Sequence, residues 1–164
     1  WVNWAIASVA GRVGGTRPPN LFLTLGLHRK LLRGWLRFAG RLMPGGVLPR
    51  RETALVILRV AHLRRCAYEF EHHVRLGARA GVSAEDVERV VAGPGAAGWS
   101  SRERVVLDAV DALHDDGDLD DGRWHALTGV LDEREIIELV MLVGHYEMLA
   151  TTLIALRLRP DRDR

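Results

Sequence analysis

"RETALVILRVAHLRRCAYEFEHHVRLGARAG", residues 51–81, keeps apolar residues at helical spacing from Arg51 to Ala80 and then stops at a glycine. Ala54, Leu55, Val56, Ile57, Leu58, Val60, Ala61 and Leu63 point in nearly every direction around a helix, so this half needs several neighbours to bury it. Beyond Cys66 the pattern turns amphipathic. Ala67, Phe70, Val74 and Gly77 fall on one side, while Glu71, His72, Arg75 and Arg79 point toward solvent. A helix buried on most sides, followed by one with a single apolar face, predicts a helical bundle.

The flanking sequence agrees with that prediction. Upstream, "LFLTLGLHRKLLRGWLRFAGRL" places Leu21, Leu25, His28, Leu32, Trp35, Phe38 and Leu42 at helical spacing, as one helix or two broken near Gly34. Downstream, Ser83 with Asp86 opens a short helix to about Val91, and Ser100 with Glu103 forms a second capping box. Trp124 to Val130 reads as a further short helix, and Asp132 with Glu135 starts the long last one. The tail "RPDRDR" is expected to fray. No stretch alternates as a strand would, so residues 1–164 read as a single all-α domain, with residues 1–45 as an N-terminal helical extension.

Composition narrows the function classes. The chain has 164 residues, 48% hydrophobic, enough for one compact core. Lys plus Arg number 23 against 21 acidic residues, and the basic ones are scattered, which argues against nucleic acid as a partner. The single cysteine makes no internal disulfide, and no apolar run is expected to span a bilayer. With no leader pattern in "WVNWAIASVAGRVGG", the expectation is a cytoplasmic protein without membrane attachment, whose native start lies upstream of Trp1. From Ile136 to Leu158 the last helix is apolar on most sides, which predicts a homo-oligomer.

A polar stripe interrupts the central helix. Glu52, Arg59, His62, Cys66, Glu69 and His73 fall within about 60° of one another if the helix runs unbroken through Arg65. Polar groups on a buried helix need partners or a cavity. A thiolate at Cys66 is favoured by a cation such as Arg59 or protonated His73, or by a helix N-terminus if the helix restarts near Arg65. His73 passes protons near neutral pH and Glu69 orients it. His72 reads as a surface residue, and Glu69 with His73 supplies too few ligands for a metal, so neither metal nor cofactor is expected.

Those residues carry a resemblance. "RRETALVILRVAHLRRCAYEFEHHVRLGARAGVSAEDV" together with "LVGHYEMLATTLIAL" resembles the carboxymuconolactone decarboxylase family, which includes alkylhydroperoxidase-D-like proteins, over roughly residues 48–157. The resemblance implies a bundle built around an antiparallel helical hairpin, assembled as trimers or hexamers with sites close to subunit contacts. In the family's peroxidase branch the motif is Cys-x-x-Cys-x-x-x-His, with a glutamate twelve residues before the first cysteine. By position these fall on Cys66, Glu69, His73 and Ala54, so the second cysteine and the glutamate are absent from this chain.

Three functions are compatible with this pattern. In the first, favoured one, an antioxidant peroxidase uses Cys66 as peroxidatic thiol, with Glu69 and His73 in support and an external thiol as reductant. In the second, a cofactor-free lyase acts on a small carboxylated lactone through His73 and Glu69, Arg59 holding a carboxylate. The third is a non-catalytic oligomer. His62 and Tyr68 are supporting residues, and His145 of "GHYEML" is expected to close the pocket from the opposite wall.

Overall fold

The computed structural model of the chain describes residues 20–161. Among them are eight helices and no strand: α1 (Asn20–Leu25), α2 (Arg29–Leu42), α3 (Arg50–Leu63), α4 (Ala67–Arg79), α5 (Ala84–Ala92), α6 (Ser101–Asp115), α7 (Asp121–Thr128) and α8 (Glu133–Ala155). The all-α expectation holds. Residues 1–19 of the expected N-terminal extension and 162–164 of the tail lie outside the described residues.

Helix α3 is the axis of the bundle, as its all-round apolarity requires: every residue from Glu52 to Ala61 is buried. On one side Val56, Ile57 and Val60 join Val106, Val110, Leu139 and Leu142 from α6 and α8. On the other, Leu55 and Leu58 meet Val82, Val90 and Leu107. Each such side chain contributes about 1.5–3 kcal/mol by leaving water.

The long helix of residues 51–80 is in fact two. At Leu63 the chain turns: Arg65 takes φ 53°, its N–H reaches the His62 carbonyl and the Cys66 N–H reaches the Ala61 carbonyl, both at 2.9 Å. This is a Schellman end with arginine in the left-handed position where glycine is usual. Helix α4 then starts from Cys66 and folds back on α3, giving the hairpin. The single stripe is therefore divided between two helices.

Other elements follow their local signals, with shifts. Helices α1 and α2 part at Gly26–His28, not near Gly34, because the His28 side chain accepts the Leu31 N–H and caps α2. The capping boxes at Ser83, Ser100 and Asp132 all form. Helix α7 starts earlier than Trp124, since Asp120 caps it through the Arg123 N–H. Of the tail expected to fray, the described part is held at Asp161, which accepts from the Asn20 N–H and the Tyr68 hydroxyl, each at 2.8 Å.

Helix α8 corrects the expectation about apolar runs. Its 23 residues, with a window of mean hydropathy 1.4, are long and apolar enough to cross a membrane. In the bundle Ile136, Leu139, Leu142, Val143, Leu149 and Leu153 bury one side of it against the core. Glu138 on α8 also fixes the loop before α3, accepting the Val47 and Leu48 N–H groups at 2.6 and 3.0 Å.

Candidate functional site

Helix α4 carries the candidate chemistry on its buried side. Glu69 lies in the first turn, where the helix N-terminus favours a carboxylate, and His73 lies one turn further on. Both are buried, and Glu69 Oε2 stands 3.3 Å from His73 Nε2. That oxygen is close enough for an ion pair but is not aligned for a hydrogen bond, and it has no other hydrogen-bond partner. The His73 ring is set edge-on to Tyr146 of α8, centroids 5.3 Å apart and planes at 87°.

The pair opens into a cavity of about 200 Å³ between α1, α2, α4 and α8. Its apolar wall is Leu21, Phe22, Trp35, Leu36 and Leu149, and its polar wall is Tyr68, Glu69, His72, His73, His145 and Tyr146. Neither arginine nor lysine lines it. His73 also borders a second cavity, of about 410 Å³, lined by Ala54, Gly77 and the loop before α3, with Arg50 and Arg79 among its lining residues. One imidazole thus separates two spaces.

Burial sets the protonation of this wall. His72 is pushed down to about 4, chiefly by desolvation and then by the charge of neighbouring His73. Desolvation lowers His145 as well, so both rings stand neutral near pH 7. Tyr146 and Tyr68 are raised for the same reason and keep their protons. The Tyr68 hydroxyl accepts the Leu21 N–H at 3.2 Å and donates to Asp161, tying α4 to α1 and the C-terminal segment above the cavity.

Cys66 is buried at the N-cap of α4 and is not among the residues lining either cavity. Burial pushes its thiol above the ordinary value; the amides of Glu69 and Tyr68 oppose this, while the Glu69 charge adds to it. Arg59 is not available as a substrate cation. Its guanidinium clamps Asp111 through two hydrogen bonds of 2.7 and 2.8 Å and donates to the Val90 and Val91 carbonyls at the end of α5. Glu52 is likewise committed, to Arg102. His62 packs against Phe70 and is lowered mainly by desolvation, then by Arg59.

Of the residues singled out in the sequence, Tyr68, Glu69, His73 and His145 meet at one cavity, while Cys66, Arg59 and His62 lie apart from it. His145 lines the cavity from α8. His72 turns inward instead of facing solvent, and Phe22, Trp35 and Tyr146 complete a site that the sequence reading had not assigned to them. The signal for Trp35 was present in its helical register with Leu32 and Leu42. Among the described residues, no three His, Cys, Asp or Glu side chains gather as a metal site.

Residues 29–112, more than half the chain, match the Carboxymuconolactone decarboxylase family. The chain belongs to the carboxymuconolactone decarboxylase family. Solved structures place this member's fold among alkylhydroperoxidase-D-like proteins. An uncharacterized peroxidase-related protein from Silicibacter superposes with a TM-score of 0.85 at 18% identity, covering 95% of this chain and 83% of that one. The alkylhydroperoxidase AhpD core protein from Ralstonia eutropha gives 0.84 at 16% identity, with coverage of 95% and 83%. A variant of the debrominase Bmp8 in complex with 2,3,4-tribromopyrrole gives 0.81 at 16% identity, covering 98% and 84%. No curated protein matches the chain.

Proposed function

We propose that this family member is an acid–base enzyme in which the Glu69–His73 pair moves a proton on a small ring compound held in the aromatic-lined cavity. The observation that carries the reading is that Glu69 and His73 share a buried wall of the cavity at 3.3 Å, whereas Cys66 lines no cavity. His73 takes a proton from substrate carbon or oxygen and returns it, and Glu69 stabilises the imidazolium that forms in between. Such chemistry belongs with the lyase reading. The cation that a carboxylated lactone needs is not supplied by Arg59, and the cavity has none of its own. The debrominase complex supports a single-ring substrate in this fold.

A peroxide reductase remains the second reading, favoured by one feature: Cys66 sits at a helix N-terminus beside the Tyr68 and Glu69 amides. It requires a thiolate formed against burial, an opening of α4 to admit the peroxide, and an external thiol as reductant.

One experiment separates the two. Purified protein is incubated in D2O with a panel of small cyclic carbon acids, deuterium uptake is followed by NMR, and hydroperoxide consumption with dithiothreitol is measured in parallel. Exchange should survive Cys66→Ala and fall by about 10²-fold or more in His73→Ala. Peroxide consumption that vanishes in Cys66→Ala, with no exchange by the unaltered protein, would reverse the assignment.

A further inference from the structure

The cavity wall holds polar atoms that no protein group satisfies. Trp35 Nε1, Glu69 Oε2, His72 Nδ1 and His145 Nδ1 are all buried without a hydrogen-bond partner, and all four residues line this one cavity. Buried polar atoms are ordinarily paired, and each one left alone carries a desolvation penalty. Four of them on residues around one cavity mark the place of a molecule that supplies the missing bonds.

Their chemistry describes that molecule. Indole Nε1–H only donates, a carboxylate oxygen only accepts, and a neutral imidazole nitrogen does one or the other according to its tautomer. A hydroxyl accepts from Trp35 and donates to Glu69 at once, so it is the smallest group that answers both. Around these atoms lie flat apolar surfaces: Trp35 stacks on His145 with centroids 5.9 Å apart and planes at 21°, and Phe22 tilts against Trp35. A dry cavity of about 150 Å³ accepts benzene, so about 200 Å³ accommodates one substituted ring. With no arginine or lysine on the wall and a carboxylate already there, a second anion is disfavoured.

We propose that the cavity binds an uncharged, single-ring hydroxyaromatic, a phenol, with the ring against Trp35 and Phe22 and the hydroxyl between Trp35 Nε1 and Glu69 Oε2. The proposal rests on this cavity being the working site and names the class of molecule it takes. Trp35 is then the residue that distinguishes a hydroxyl-bearing ring from a bare one.

The test is calorimetric titration of the full chain at pH 7 with p-cresol, toluene and benzoate. p-Cresol should bind at least about tenfold more tightly than toluene, because toluene leaves the polar atoms unpaired, and benzoate should bind more weakly than either. Trp35→Phe should weaken p-cresol about tenfold while leaving toluene nearly unchanged, and retained toluene binding shows that the variant is folded. Equal binding of p-cresol and toluene, or preferred binding of benzoate, overturns the proposal. Phenol binding without proton-transfer activity in any assay would sink the catalytic reading alone, and proton transfer without phenol binding would sink the ligand class alone.

Discussion

At the scale of single residues, two groups that look alike in the sequence have different tasks. Glu69 and His73 were legible as chemistry because they fall one helical turn apart on a helix that must be half buried. Arg59 was legible only as a cation, and nothing local reveals Asp111, fifty-two positions away, as its partner. Arg59→Met should therefore lower stability by about 3 kcal/mol, since it leaves a partly buried carboxylate and the α5 carbonyls unpaired. Ligand affinity should hardly change. Replacing Asp111 with leucine in the same chain should recover part of the loss, and urea denaturation measures both; an Arg59→Met chain as stable as the parent would discredit the clamp. His72 was misread because its neighbour Glu71 faces solvent, whereas His72 itself lines the cavity that α1 and α2 help to enclose. With His72 held at about 4 in the folded chain against an ordinary 6.5, the unfolded chain takes up the proton first as pH falls. Its contribution is fully present above about pH 6.5 and is lost toward pH 4, a change of about 2 kcal/mol once partial exposure is allowed for. His72→Phe should flatten the dependence of unfolding free energy on pH in that window. An unchanged slope would show that His72 titrates freely.

At the scale of elements, three helices end in the same way but only one of the ends could be read. After α4, the Val82 N–H reaches the Gly77 carbonyl and Gly81 takes φ 85°, which the glycine announces. After α3 and α8, Arg65 and Arg157 take that position at φ 53° and 54°, and no glycine marks either. Cys66 then becomes the N-cap of a new helix, so the angular stripe drawn through an unbroken one fails. Packing of α4 back onto α3 outweighs the local cost of a left-handed arginine, about 1–2 kcal/mol. Arg65→Gly should therefore stabilise the chain, by roughly 0.5 kcal/mol after the added freedom of glycine in the unfolded state is subtracted. Arg65→Val should destabilise it by more than 1 kcal/mol, roughly, because a β-branched side chain tolerates that conformation poorly. Thermal melting of the two variants checks this, and a stabilising valine would mean that the turn is not held as described.

At the scale of the whole molecule, α8 joins the core to the question of assembly. Its all-round apolarity predicted more neighbours than one short chain provides, and the bundle covers only one side of it. The other side, with α2, leaves Leu31, Met141 and Met148 exposed at 58%, 48% and 50%, beside Phe38 and Val140. An apolar patch of this kind on a water-facing surface ordinarily marks an interaction site. Trp35 and His145 reach this outer face as well as the inner cavity. We expect a second copy of the chain to cover it, which would bring the partner within one side chain of the cavity wall and place α8 in a subunit contact, not in a bilayer. Light scattering should then give a multiple of 18.3 kDa. Leu31→Glu with Met141→Glu should reduce it to the monomer, because two carboxylates on the patch oppose their own copies across any symmetric contact. The same variant should bind ligand more weakly, since water gains access to the outer edge of Trp35. A parent chain that runs as a monomer at micromolar concentration in plain buffer would refute this assembly; a chain that dissolves only in detergent would instead assign the exposed side of α8 to lipid.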